Sequence, residues 1–162
     1  MAARITRALS RASSLLLVLC LCSCADTVYH DFCNVEDGWK SNDTLVFRLC
    51  NARAASEVCD AYIELRTTPG YPYRKLWLSA CVRGSSGGVG VTDTLCCEIF
   101  DSLGQQIGPT AGLLYQTGYR LTQLELPSAD TVTVSIAHIM SGEVNGVRSV
   151  GVRAVRCGRH LP

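Results

Sequence analysis

Residues 131–140 read TVTVSIAHIM, and this stretch decides the fold class. Apolar residues and His138 stand at every second position from Val132 to Met140, and they alternate with Thr131, Thr133, Ser135 and Ala137. An alternation with period two is typical of a β-strand that buries one face. Residues 147–157 alternate in the same style, and Asn145-Gly146 between the two segments is a strong hairpin signal. We therefore predict a β-hairpin in this part of the chain.

The rest of the chain adds further strands and almost no helix. Segments rich in β-formers, separated by Gly- and Pro-rich turns, are residues 44–49, 61–66, 74–82, 94–100 and 119–126. Residues 26–41 read as an irregular lead-in, and the Ala-rich residues 51–58, with Asn51 as a possible cap, form the one helical candidate. About seven strands predict an all-β fold, a disulfide-stabilised antiparallel β-sandwich of immunoglobulin-like type.

The N-terminus has the pattern of a secretory signal peptide. Arg4, Arg7 and Arg11 precede a short apolar run at residues 15–21, and small residues end the segment. The run is shorter than the roughly 20 residues that span a bilayer. We therefore predict a signal peptide at residues 1–25, followed by a single secreted, extracellular β domain at residues 26–162.

A second interpretation of the same segment stays open. Residues 21–24 (LCSC) look like a bacterial lipobox, in which Cys24 would be the lipidated residue. Cysteine at the second position is unusual for that motif. The sequence favours cleavage after Ala25 over lipidation of Cys24.

Charge and motifs exclude several classes of function. The full chain has a formal charge of +1, and loss of the three signal-peptide arginines leaves about −2. Nucleic-acid binding requires a clear basic excess, so we expect no nucleic-acid partner. The chain has no G-x-S-x-G or H-E-x-x-H motif. We expect no enzymatic activity, no metal and no cofactor, although a hydrolase that uses His138 is a third hypothesis.

Seven cysteines follow the predicted signal peptide, which in a secreted protein predicts a disulfide framework. They are Cys33, Cys50, Cys59, Cys81, Cys96, Cys97 and Cys157. The simplest pairing joins the first to the last, the second to the third, and Cys81 to Cys96 or Cys97. Neighbouring residues of a strand point to opposite faces, so one of Cys96 and Cys97 faces outward and is our candidate for the unpaired thiol. That thiol either links a disulfide-bonded dimer or stays free.

Two surface features suggest modification and binding. Asn42 begins the sequon Asn-Asp-Thr, which predicts an exposed, glycosylated asparagine. Tyr71, Tyr73, Arg74 and Trp77 surround a Pro-Gly turn, and these residue types dominate interface hot spots. We predict that they bind a partner; the alternative is that Trp77 packs in the core and the tyrosines cover it.

Residues 124–139 (LELPSADTVTVSIAHI), together with the inferred order of the bridges, resemble the MD-2-related lipid-recognition domains. The resemblance implies a secreted, lipid-recognition-like β-sandwich that holds a lipid between its sheets. It covers at most half of the chain, and no binding residue is transferred.

The sequence thus favours a secreted, non-enzymatic binding protein that acts through extracellular protein–protein contacts, such as a ligand, a decoy or an immune-type factor. Its partner would be an extracellular protein or receptor. The alternative is a secreted lipid carrier with a cavity between its sheets.

Overall fold

The computed structural model describes residues 27–35, 38–85 and 90–157 of the chain. These residues form β-strands, turns and irregular connections, and no helix occurs among them. The strands are β1 (Thr27–Asn34), β2 (Leu45–Cys50), β3 (Glu57–Thr67), β4 (Lys75–Gly84), β5 (Val91–Glu98), β6 (Thr110–Ala111), β7 (Leu114–Leu126), β8 (Thr131–His138) and β9 (Val147–Arg156).

The strands form two antiparallel sheets in a sandwich-like arrangement. One sheet has the order β1-β9-β3-β7-β6, and the other has the order β2-β8-β4-β5. Without the two-residue β6, the sheets pair the eight long strands in the order of a jelly roll, which winds two Greek keys into four-stranded sheets. The all-β, antiparallel two-sheet prediction is confirmed, but this strand order is not that of an immunoglobulin domain.

Both sheets contribute to one hydrophobic core. The alternation of residues 131–138 is confirmed, because Val132, Val134 and Ile136 are buried whereas the residues between them are half-buried. Across the core lie Ile63, Leu65 and other buried residues of β3. The core thus takes one face of each sheet and leaves the other face of each to solvent.

The predicted hairpin is wrong. Gly146 does adopt the positive φ, +85°, that the Asn-Gly signal implies. However, β8 pairs with β2 and β4, whereas β9 pairs with β1 and β3 in the other sheet. The connection between β8 and β9 therefore carries the chain from one sheet to the other, where the Gly146 carbonyl accepts a hydrogen bond from the Thr68 amide at 2.8 Å.

Two further segment predictions are corrected. The lead-in contains the regular strand β1, which pairs along its length with β9. The helical candidate at residues 51–58 is a loop that runs into β3. Asn51 is buried there, and its amide nitrogen donates to the carbonyls of Ala55, Leu126 and Pro127, so it ties this loop to the end of β7.

The predicted disulfides are also wrong, since all seven cysteines are free in the structure. Disulfides require Cα atoms within about 7 Å. Cys33 pairs in register with Val150, which is seven positions from Cys157, or about 24 Å along a strand. Cys81 pairs with Thr92, four positions from Cys96, or about 14 Å.

The other predicted bridge fails because of the faces on which its cysteines lie. Cys50 is exposed on the four-stranded sheet, whereas Cys59 is fully buried in the other sheet. The opposite orientation of Cys96 and Cys97 is confirmed: Cys96 is exposed and Cys97 is fully buried. The disulfide-linked dimer stays a prediction.

The predicted signal peptide and Cys24 lie outside the described residues. Within the described ranges, no helix has the length and apolar character to cross a membrane.

Candidate functional site

The solvent-facing side of the four-stranded sheet carries several exposed apolar side chains. Three apolar residues on this side are open to solvent: Trp77 is 42% exposed, Val46 is 47% exposed and Ile139 is 55% exposed. The Ile139 amide donates to the Trp77 carbonyl at 3.0 Å, so these two residues are neighbours. We call this side of the sheet, with Val46, Trp77 and Ile139, the Trp77 face.

The alternation of β4 places Trp77 outward. Leu76, Leu78 and Ala80 point into the core and are at most 1% exposed. Trp77 stands opposite Cys96 of β5 in the register. Two residues further along β4, the outward-facing row across the sheet is made of small residues: Ser79 lies between Ala137 and Thr94. Small side chains beside a large indole leave a flat surface that a partner can approach closely.

The four residues predicted to bind a partner separate into two groups. Tyr73, Arg74 and Trp77 are exposed, so the structure is compatible with a binding role for them. Tyr71 is only 3% exposed, and its hydroxyl donates to the Lys75 carbonyl at 3.2 Å. Burial raises the pKa of Tyr71 well above its usual range. Tyr71 therefore supports the turn from inside and contacts Tyr73 edge to face.

A second cluster, which sequence reasoning missed, lies on the outer side of the five-stranded sheet. The Glu64 side chain is 8% exposed. Its carboxylate accepts hydrogen bonds from Arg153 Nε at 2.6 Å and Gln116 Nε2 at 3.3 Å, and His30 Nε2 lies 2.9 Å away. These residues come from β3, β9, β7 and β1, so no local motif could have revealed the cluster.

Two glycines flank this carboxylate, and the Phe32 ring lies over one of them. Glu64 is flanked in the register by Gly118 on one side and Gly151 on the other, which leaves space beside it. The Phe32 ring covers Gly151, since a Cβ there would lie 2.7 Å from the ring. The Arg66 guanidinium lies 3.8 Å from the centre of that ring. His30 of β1 and Arg153 of β9 share the Glu64 carboxylate of β3, which indicates a clamp that holds β1 on the sheet.

The remaining titratable groups of the described residues do not form a recognisable catalytic arrangement. His138 is 3% exposed, and its Nε2 lies 3.0 Å from the Trp39 carbonyl oxygen, with the Trp39 ring packed edge-on. A carbonyl oxygen only accepts, so Nε2 is the donor of this hydrogen bond. Among the described residues, no group of three His, Cys, Asp or Glu side chains could hold a metal ion.

The family to which the chain belongs follows from comparison with known proteins. The model of the GldH lipoprotein family matches residues 27–154. The match covers all but the last residues of the two sheets. The chain belongs to the GldH lipoprotein family. No curated protein matches the chain.

Membership of the GldH lipoprotein family corrects the functional predictions. A lipoprotein is attached to a membrane, so the secreted ligand, decoy or immune-type factor is wrong, and so is the secreted lipid carrier. The chain is an envelope-associated lipoprotein and is not freely secreted. The glycoprotein prediction is wrong for the same reason, although Asn42 is exposed as expected.

Solved structures show only distant likenesses. A CocE/NonD family hydrolase from Staphylococcus aureus has a TM-score of 0.43 at 10% identity, over 82% of this chain and 33% of that one. Eiger TNF from S. frugiperda has a TM-score of 0.35 at 9% identity, over 83% and 94%. Latent PorU from Porphyromonas gingivalis has a TM-score of 0.33 at 12% identity, over 82% and 13%. The chain thus spans about a third of the hydrolase, and we infer no function from these structures.

Proposed function

We propose that this GldH-family chain is a lipid-anchored, non-catalytic envelope protein that is acylated on Cys24 and binds a second envelope protein through its Trp77 face. The exposure of Trp77 on a sheet face is the observation that carries the binding role. The family supports the anchor.

The sequence around Cys24 supports the site of the anchor. Residues 15–21 are apolar, and residues 21–24 (LCSC) place a cysteine at the lipidated position of a lipobox. Among members of a lipoprotein family, this interpretation outweighs the unusual Cys22. Each buried methylene group of an acyl chain contributes about 0.8 kcal/mol to membrane binding, and stable attachment requires more than one chain.

The composition of the Trp77 face supports protein binding. Tryptophan is among the residues that most often dominate binding energy at interfaces. Trp77 leaves 42% of its surface in water while the strand around it buries every second side chain. Covering Trp77 and Ile139 would remove apolar surface from water at about 25 cal/mol per Å². Arg74 and the Lys75–Glu98 ion pair, at 3.3 Å, would form a polar rim.

The state of the buried polar groups supports a non-catalytic role. The Glu64 carboxylate is engaged by Arg153, His30 and Gln116. His138 faces a backbone carbonyl and not a nucleophile.

Site-specific photocrosslinking in cells tests the binding role. A photoreactive phenylalanine replaces Val46 on the Trp77 face or, as a matched control, Val58 on the five-stranded sheet; the two valines are 47% and 46% exposed. We expect one discrete crosslinked protein from position 46 and none from position 58. Trp77→Ala should abolish that crosslink without changing the amount of folded protein. Equal crosslinking from both positions, or none from position 46, would refute the binding role.

Fractionation tests the anchor. The wild-type chain is expected in the membrane fraction and to incorporate labelled palmitate, whereas Cys24→Ser is expected in the soluble fraction without label. Cys22→Ser is the matched control and should remain membrane-bound. Unchanged labelling of Cys24→Ser would show that another residue carries the lipid.

A further inference from the structure

Strand β5 is an open edge of the four-stranded sheet. It pairs with β4 on one side, and no described strand pairs with its other side. The orientation of its backbone follows from β4: the Trp77 carbonyl bonds to Ile139 on the β8 side, and the Arg74 carbonyl bonds to Ile99 on the β5 side. In an antiparallel strand, the N–H and C=O of one residue point to one side and those of the next residue point to the other side. The N–H and C=O groups of Thr92, Thr94 and Cys96 therefore point to the open side of β5.

Two contacts agree with this orientation. The Thr94 amide, which faces the open edge, donates a hydrogen bond to Asp93 Oδ1 at 2.8 Å. The Glu98 carbonyl accepts a hydrogen bond from the Tyr119 hydroxyl of β7. From Thr92 to Cys96 the edge is otherwise without a partner among the described residues. Natural edge strands usually protect such groups with charges, bulges or a covering segment.

Beneath this edge lies an apolar groove between the two sheets. Its volume is about 480 Å³, and Ala80, Val82, Leu121, Leu124 and Val132 form its apolar lining. Along β5, Val91 has the same parity as the buried Cys97, so it points towards the core side. Val91 is nevertheless 73% exposed. Among the described residues, no segment covers this side of the sandwich, and the apolar Val91 side chain overhangs the groove.

The groove has an acidic residue at its rim. Asp93 lines it from β5, has the same parity as the buried Cys97, and belongs to no ion pair among the described residues. A bound segment that supplies backbone groups to β5 and apolar side chains to the groove would thus also be favoured by a Lys or Arg near this carboxylate. An anionic lipid or a second copy of β5, which would bring a second Asp93, is disfavoured by the same charge.

We propose that the groove binds an extended peptide segment of another protein, which adds a fifth strand to the open edge of β5, places alternate apolar side chains in the groove and directs a basic side chain to Asp93. Strand addition of this type derives affinity from main-chain hydrogen bonds and specificity from alternate side-chain pockets. This site is separate from the Trp77 face, and either can exist without the other.

The test uses the purified, detergent-solubilised full chain and a display library of short peptides. The library randomises alternate positions among apolar residues and carries one central lysine. We expect selected peptides to slow hydrogen exchange at Thr92 and Cys96 by at least about tenfold, as strand pairing would. Replacing that lysine by glutamate should weaken binding, and Asp93→Lys should reverse this preference.

Two matched proline variants separate strand addition from simple occupation of the groove. Thr94→Pro removes an N–H on the open side of β5 and leaves the bonds to β4 intact, as an edge strand tolerates. Arg48→Pro does the same on the open side of β2, the opposite edge of the same sheet. Peptide affinity should fall at least about tenfold for Thr94→Pro and stay within about twofold for Arg48→Pro, with unchanged circular dichroism for both.

Three results would overturn the proposal. One is a library from which no peptide binds the full chain. Another is peptide binding that Thr94→Pro leaves intact, which would indicate occupation of the groove by side chains alone. The third is displacement of every selected peptide by palmitate together with unprotected amides along β5, which would indicate an acyl-chain site.

Discussion

The Glu64 cluster provides the sharpest test of how this sandwich holds the strand that follows the proposed anchor. Glu64→Ala removes the acceptor of hydrogen bonds from Arg153 and Gln116 and the partner of His30. Removal of one member of a buried ion pair costs about 3–5 kcal/mol. Arg153 and His30 are 34% and 41% exposed, so both can regain water once the carboxylate is gone. We therefore expect a loss at the lower end, about 3 kcal/mol.

The matched control is Glu98→Ala. Its carboxylate lies 3.3 Å from Lys75, with side chains that are 47% and 42% exposed. An exposed ion pair of this kind contributes about 0–1 kcal/mol. The difference between the two variants, about 2 kcal/mol or more, isolates the effect of burial from the loss of one negative charge.

Urea denaturation of the full chain at neutral pH, followed by fluorescence of the buried Trp39, measures both free energies of unfolding. A shift in the midpoint without a change in slope would mean that only stability has changed. If Glu64→Ala costs no more than Glu98→Ala, the cluster does not clamp β1, and the reasoning from its burial is refuted.

Three further predictions concern thiols, pH and glycine. Maleimide labelling of the native chain, read by mass spectrometry, should modify the exposed Cys96 and not the buried Cys97; equal labelling would contradict the strand parity. Burial raises the pKa of Cys97 and that of Tyr119 to about 12, from 9.0 and 10.0. The unfolded chain therefore releases these protons at lower pH than the native chain does, and the free energy of unfolding should fall as the pH rises above about 9. Urea unfolding at two alkaline pH values checks this. An equal free energy of unfolding at both pH values would contradict it. Gly151→Ala would place a Cβ 2.7 Å from the Phe32 ring and should cost about 1–3 kcal/mol, whereas Gly118→Ala, 3.9 Å from the nearest side-chain atom, should cost less in the same urea assay.

Strand parity was predictable from the sequence because it is a local property. The alternation along β4 separates Leu76 and Leu78, which are buried, from Trp77, which is exposed, although the sequence left open whether Trp77 packs in the core. The same rule gave opposite faces to Cys96 and Cys97. A period-two pattern contains this information within a few residues, and no distant contact can reverse one side chain without shifting the whole strand.

Strand partners were not predictable in the same way. The Asn145-Gly146 signal reports a residue with positive φ, and Gly146 has one, but the signal does not determine which strands pair on either side. The disulfide predictions failed because they required the register of distant strands. Asn51 was read as a helix cap, yet its amide binds carbonyls at the end of β7, 75 and 76 residues away.

Placement of the groove relative to the membrane leads to one more prediction. Cys24 and Thr27 are three residues apart, so an anchor on Cys24 can lie at most about 11 Å from the start of β1. Thr27 pairs with Val155, Val155 with Asp60, and Asp60 with Gln123 at the groove. Gln123 at the groove thus lies three strand spacings, or about 14 Å, from Thr27.

The proposed anchor would therefore hold the groove close to the bilayer, where a membrane-bound partner strand has a high effective concentration. Twenty flexible Gly/Ser residues inserted before Thr27 would extend the tether by about 25 Å. This insertion should lower in-cell photocrosslinking from position 91 several-fold, since effective concentration falls with about the −3/2 power of tether length. Affinity for the selected peptides in detergent should not change, because the groove itself is untouched. A rigid, soluble partner would crosslink equally well with either tether. That result would show that the distance of the groove from the membrane does not affect binding of the partner.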